Sequence, residues 1–286
     1  MSQCRPSAEP SLHFGASDRH RWCKNRDMAE LNGAPVPPEA WQALSLVNYG
    51  HFTSMRVHEQ HIRGLSHHLE RLAQDCRLLF AADLDRDYVR DLIRHAIKGD
   101  NGTFVARVTV FDPQGDLGHP GASSRPSILV TTRPAPSWPA APMRVQTACY
   151  HRELPKVKHV GLLGSLWHRR QAQSRGYDDA LFVDNASFIS EGATWNIGFF
   201  DGDRIIWPDA DMLPGVTMRL LRQVHDDSIS TPLNTRDVPA MQAAFATNTA
   251  VGVRPISTID GTSLDDTHPI FTTLQKEYAE IPPERL

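Results

Sequence analysis

Residues 154–200 read LPKVKHVGLLGSLWHRRQAQSRGYDDALFVDNASFISEGATWNIGFF, and the local signals in this stretch alternate between helix and strand. Lys156 and Lys158 stand just ahead of a helix expected from about Gly161 to Arg175, and Gly176 closes it as a natural C′ residue. Runs at 179–184 and 195–200 read as strands, and 204–207 pairs back after the Asp201-Gly202 turn.

The pattern continues outward in both directions. Toward the N-terminus, 46–57 reads as a turn-interrupted strand. A helix at 66–80 follows, with Leu69, Leu72, Cys76 and Leu79 at helical spacing. A second helix spans about 85–98, the run from Gly99 to Gly102 breaks it, and strands follow at 104–111 and 127–132. Residues 133–142 hold four prolines and read as a stiff linker. Beyond them come a strand at 143–150, a helix opened by Pro214-Gly215-Val216-Thr217, strands at 244–247 and 253–259, and a last helix near 269–279. The expected organisation is α+β in two lobes: an extension over 1–28, a small N-terminal domain over 29–132, the linker over 133–142 and a large domain over 143–286.

Composition narrows the function classes. The chain has 286 residues and a formal net charge of −3, with no basic block or stripe, so neither nucleic acid nor anionic lipid is an expected partner. Cys4, Cys23, Cys76 and Cys149 are scattered without CxxC spacing, which argues against a metal site or a disulfide framework and for a reducing cytoplasm. The first 27 residues hold no apolar run long enough for a signal-peptide core or a membrane span, and Met28 is a possible natural start.

Several short segments stand in a definite order. They are His68-x-x-Arg71-Leu72, Val157-Lys158-His159, Asp178-Asp179-Ala180-Leu181, Glu191 followed five residues later by Asn196, Gly215-Val216-Thr217, and Thr247-Asn248-Thr249-Ala250. In order and spacing this set resembles the fold-type IV enzymes that use pyridoxal 5′-phosphate (PLP), the class IV aminotransferases and their relatives, from Leu44 to the C-terminus. The resemblance implies a smaller α/β lobe, a larger lobe with a barrel-like β core, and a homodimer whose pocket is completed by a loop of the partner.

It also implies roles. Lys158 falls at the Schiff-base lysine, since an amine can condense with the PLP aldehyde and later move the substrate's α-proton. Lys156 is the competing candidate, two residues earlier and on the same side if the segment is extended. Glu191 matches the glutamate that keeps the pyridine nitrogen protonated, and Asn196 supports its turn. Arg71, Val216, Thr217 and Thr249 match the phosphate contacts, a guanidinium fork plus N–H groups at a helix N-terminus.

The substrate side departs from the pattern. Thr53 in the run Gly50-His51-Phe52-Thr53-Ser54-Met55-Arg56-Val57 replaces the usual glutamate, which implies a changed lining. Val108-Thr109-Val110-Phe111 stands where a Thr-Arg-Gly run is frequent, and Leu117-Gly118-His119 keeps only the histidine of Arg-x-His. Leu163 stands where branched-chain transaminases carry tyrosine. Phe52, Arg107 and His119 are the candidate substrate contacts, with Arg152, Arg254 and His159 behind them. The leading expectation is a PLP-dependent aminotransferase acting on an amino acid or amine and a 2-oxo acid. The absent arginines point to poor use of D-alanine and D-glutamate and to a larger or less carboxylate-dependent substrate. An aminodeoxychorismate lyase-like reaction is the alternative, because Val157-Lys158-His159-Val160 is close to that group's Ile-Lys-His-Leu. A PLP-free binding relative of the same fold is the third.

Overall fold

The computed structural model describes residues 29–99 and 102–286. The expected extension over 1–28 and residues 100–101 of the expected turn lie outside the described residues.

In chain order the strands are β1 (Ala29–Leu31), β2 (Ala34–Pro35), β3 (Gly50–His58), β4 (His61–Ile62), β5 (Thr103–Phe111), β6 (Ser127–Pro134), β7 (Met143–Cys149) and β8 (Asp179–Val183). They continue as β9 (Ile189–Gly192), β10 (Asn196–Phe200), β11 (Ile205–Pro208), β12 (Ser228–Thr231), β13 (Ala243–Asn248), β14 (Gly252–Ile259), β15 (Thr262–Ser263) and β16 (Glu284–Arg285). The α-helices are α1 (Pro38–Val47), α2 (Leu65–Phe80), α3 (Arg86–Ala96), α4 (Leu163–Ser174), α5 (Val216–Val224) and α6 (Ile270–Glu280).

The first sheet has the order β16-β4-β3-β5-β6-β1-β2 and is antiparallel. Alternation divides its faces. Met55 and Val57 of β3 and Ala106, Val108 and Val110 of β5 pack under α2 and α3, against Leu69, Leu72, Cys76, Val89 and Ile93. Each fully buried Val, Leu, Ile or Met among them stabilises the fold by about 1.5–3 kcal/mol. The other face is thereby left to Phe52, Ser54 and Arg107.

The second sheet closes on itself. Strands β10, β13, β14, β7, β8 and β9 follow one another, and β9 pairs back to β10 through Asn196 and Glu191. Closure gives each of these six strands a neighbour on both sides. Val145, Leu181, Ile197, Phe199, Ala246 and Ile256 fill one core, while α5 and α6 pack Leu221 and Leu274 against Phe245 on another side. This is the barrel-like core expected of the second half.

Two local expectations change. Leu46 and Val47 end α1 rather than begin a strand: Pro38 is pre-set for the first helical position, and Asn48 stops the helix in the left-handed conformation, φ 50°. The strand therefore starts at Gly50, where a Cβ would lie 2.6 Å from the Val110 carbonyl oxygen. The proline-rich run is also partly ordered, because Arg133 and Pro134 extend β6 opposite Val105 and Phe104. At the C-terminus β16 pairs with β4, and Leu286 enters the core beneath α2.

Candidate active site

Residues 158–160 run beside the start of β3. The Phe52 N–H donates to the Lys158 carbonyl at 2.8 Å, and the Val160 N–H donates to the Gly50 carbonyl at 2.9 Å. This pairing turns the Lys158 side chain into a cavity of about 340 Å³ that both sheets line, with Nζ 5.0 Å from the Phe52 ring centre. Burial pushes the amine down to about 7; Arg71 and Arg152 add to the shift, and Glu191 opposes it. A neutral amine near neutral pH is a nucleophile and a base.

Lys156 points elsewhere. Residues 154–157 form a turn, closed by the Val157 N–H on the Leu154 carbonyl at 2.8 Å, instead of the extended segment that would align the two lysines. The Lys156 side chain is 77% exposed and lies 3.9 Å from Asp211.

Glu191 lines the cavity at the end of β9 and is buried. Arg152 Nη1 donates to Glu191 Oε1 at 3.2 Å, while Arg152 Nη2 donates to the Val157 carbonyl at 3.0 Å. Arg152 therefore braces both the carboxylate and the turn before Lys158, and is not a free cation for substrate. Burial raises the Glu191 carboxyl, and Arg152 pulls it back. Asn196, opposite Glu191 on β10, donates to the Leu213 carbonyl at 2.7 Å and accepts the Gly215 N–H at 3.1 Å. It thus fixes the loop that leads into α5.

Arg71, Gly215, Val216 and Thr249 line the same cavity. The Arg71 guanidinium is buried, its Nε has no partner, and its hydrogen bonds go to the Thr53 hydroxyl and to His68. No carboxylate forms an ion pair with it among the described residues, so it is a buried cation prepared for an anion. The α5 N-terminus opens beside it with no side-chain cap, and a Cβ on Gly215 would strike Asn196 Oδ1 at 2.1 Å. Asn248 Oδ1 accepts the Ala250 and Val251 N–H groups, each at 3.0 Å, which presents Thr249. An arginine, a free helix N-terminus and a threonine fit a phosphate monoester. Thr217 is buried near the Tyr278 phenol, outside good hydrogen-bond geometry and outside the cavity lining, so only its backbone can serve the phosphate.

The substrate side differs from expectation in detail. Phe52 and Ser54 line the cavity, but Thr53 faces α2 and holds Arg71 and His68; the change at Thr53 alters the support of Arg71 rather than the lining. Arg107 enters the cavity with its guanidinium stacked 3.6 Å over the Phe52 ring centre. Burial, and Arg133 beside it, lower Arg107 to about 10. Arg133, hidden from sequence reading by the proline-rich run, is brought to the cavity by the β5–β6 register. Arg169 also reaches the lining but forks onto Asp179 at 3.0 and 2.7 Å.

His119 does not line this chain's cavity. It stands on an exposed loop after β5, 2.7 Å from Asp116, against a separate surface cleft. The loop carries no sheet register, so its sequence position could not place it. Arg254 donates to the Ala141 carbonyl, and His159 lies 2.9 Å from the Glu153 carbonyl, both outside the lining. Leu163 is 83% exposed; Leu162 and Leu166 line the cavity instead.

Known proteins share this fold. The family model described as amino-transferase class IV matches residues 50–259. The branched-chain-amino-acid aminotransferase of Pseudomonas aeruginosa is 23% identical over 241 residues, covering 76% of this chain and 77% of that protein. The branched-chain aminotransferase of Thermoproteus uzoniensis, solved with norvaline, superposes with a TM-score of 0.80 at 19% identity, over 88% of this chain and 93% of that one. A hypothetical aminotransferase from Mycobacterium tuberculosis in its PLP-bound form gives 0.77 at 18% identity, over 89% and 98%.

Proposed function

Because the chain belongs to the class IV aminotransferase family and is a PLP-dependent transaminase, we propose that Lys158 carries the cofactor and that the cavity between the sheets is its active site. PLP, when bound, supplies an aldehyde carbon that links covalently to an amine and a ring that withdraws electrons.

The residues divide the remaining work. Arg71, the Val216 and Thr217 N–H groups and Thr249 hold the phosphate. Glu191, braced by Arg152, presents a carboxylate to the protonated ring nitrogen. Lys158, once released, accepts the substrate's α-proton at Nζ and returns it, which a side chain lowered to about 7 can do in both directions near neutral pH. Phe52 covers one wall, and Arg107 offers its guanidinium to a substrate carboxylate.

The observation that carries this reading is the desolvated Lys158 amine placed in one cavity with Glu191 and Arg71. Borohydride reduction of the holoenzyme followed by peptide mapping tests it. The pyridoxyl group is expected on Lys158, and finding it on Lys156 or nowhere overturns the assignment. We further infer a homodimer in the cytoplasm. Exposed Tyr49, Leu78 and Leu117 around the His119 cleft suit a subunit contact, and the free thiols of Cys76 and Cys149 suit a reducing compartment.

A further inference from the structure

Asp75 lies one helical turn beyond Arg71 on α2, buried on the apolar face of the helix. Its Oδ2 accepts the backbone N–H of Lys158 at 3.1 Å, while the Lys158 carbonyl accepts from Phe52 at 2.8 Å. The lysine's peptide is thus held by α2 on one side and β3 on the other, and only its side chain is free to swing.

We propose that Asp75 is a positioning residue for Lys158, fixing the backbone from which the side chain moves and supplying negative charge behind the amine. The inference rests on Lys158 being the lysine that carries the cofactor.

The charges around the pair make this role specific. Arg71 and His68 face it from α2, Arg152 from the turn before Lys158, Glu191 from β9 and Arg107 from β5. Glu191 is committed to Arg152 at 3.2 Å. Among the described residues Asp75 forms no ion pair, and Arg71's direct partners, the Thr53 hydroxyl and a desolvated His68, are neutral. Burial lifts the Asp75 carboxyl to about 6, against the pull of the Lys158 N–H, Arg71, the Lys158 amine and Arg152. Asp75 is therefore ionised at neutral pH and above, where it favours the protonated Lys158 nitrogen, and it loses that influence as pH falls through about 6.

The experiment is a pH titration of the visible absorbance of the holoenzyme and of Asp75→Asn, which keeps an oxygen acceptor for the Lys158 N–H and removes the charge. The midpoint is expected to fall by about one unit, as for loss of a nearby opposite charge. Borohydride mapping should still place the cofactor on Lys158. An unchanged midpoint with Lys158 labelled overturns the role of Asp75, whereas a label elsewhere overturns the reading of Lys158. Asp75→Ser, uncharged but able to accept, repeats the test if the amide fails to fold. Should neither fold, carbon-13 spectra of carboxyl-labelled aspartates in the unsubstituted holoenzyme decide. One carboxyl titrating near pH 6 and shifting when the Lys158 linkage is reduced supports the role, and its absence overturns it.

Discussion

Arg152 Nη1 lies 3.2 Å from Glu191 Oε1, and both side chains are buried. Removing one partner of such a pair strands the other charge, at a cost of about 3–5 kcal/mol. Arg152→Gln should lower the melting temperature. It should also raise the Glu191 carboxyl further, because burial then acts without the guanidinium that opposes it. A smaller fraction of Glu191 is then ionised at neutral pH, so kcat should fall and recover as pH rises. A pH profile of kcat superimposable on that of the unsubstituted enzyme would show that Arg152 does not govern the glutamate.

Glu191→Gln keeps the shape of the side chain and removes its charge. The phosphate contacts are untouched, so PLP should remain bound, while kcat should fall by about a hundredfold or more, the scale of losing one electrostatic group aimed at developing charge. The absorbance of the purified variant checks retention, and steady-state rates check turnover. Full turnover would remove Glu191 from the ring nitrogen.

The depressed Lys158 amine gives a prediction for the apo protein. The folded value, about 7, lies below the ordinary lysine value of 10.5, so the neutral amine predominates above about 7 and is lost as pH falls below it. Stopped-flow mixing of apo protein with PLP should therefore show a covalent-capture rate that rises roughly tenfold per unit below this value and levels off above it. A rate still climbing toward pH 10 would mean that the amine is solvated.

How much of this could be read from the chain follows from where each contact sits. Arg71, Lys158, Glu191 and the Gly215-Val216-Thr217 turn stand in contiguous motifs, and the structure brings them to one cavity. The contacts that tune them join distant segments: Arg152 is 39 positions from Glu191, and Asp75 is 83 from Lys158. Neither pairing has a local pattern, although an aspartate on the apolar face of α2, between Leu72 and Leu79, is a visible anomaly. Arg152 reads as a free cation in sequence because its partner sits on β9, two strands away from β7 in the sheet order. Arg133 was obscured by the prolines around it, and only the β5–β6 register brings it beside Arg107.

In sedimentation measurements at micromolar concentration the active species should be a dimer. Exposed Leu78 and Leu117, 65% and 69% accessible, face one cleft and suit burial by a second copy. A strictly monomeric active species would contradict this.

The pocket's preference among substrates turns on Arg107. Leu117 in place of the arginine of Arg-x-His points to weak carboxylate recognition, yet the structure stacks Arg107 on Phe52 inside the cavity, with Arg133 beside it. A carboxylate held by Arg107 makes charge-assisted bonds worth about 1.5–3 kcal/mol each, or roughly tenfold to a hundredfold in affinity. Arg107→Met should therefore raise KM for amino acids by that factor. It should change kcat far less, because the bond is formed equally in the ground and transition states. Arg133→Met should have a smaller effect, since that side chain is exposed and its charge is screened by water. D-alanine, whose methyl group gains little from the Phe52 wall, should remain a poor substrate with KM above about 1 mM. The decisive comparison is steady-state kinetics of both variants on an amino acid and on the amine of the same side chain lacking the carboxylate. If Arg107→Met lowers activity equally on both, the guanidinium supports Phe52 and the pocket wall rather than the substrate carboxylate.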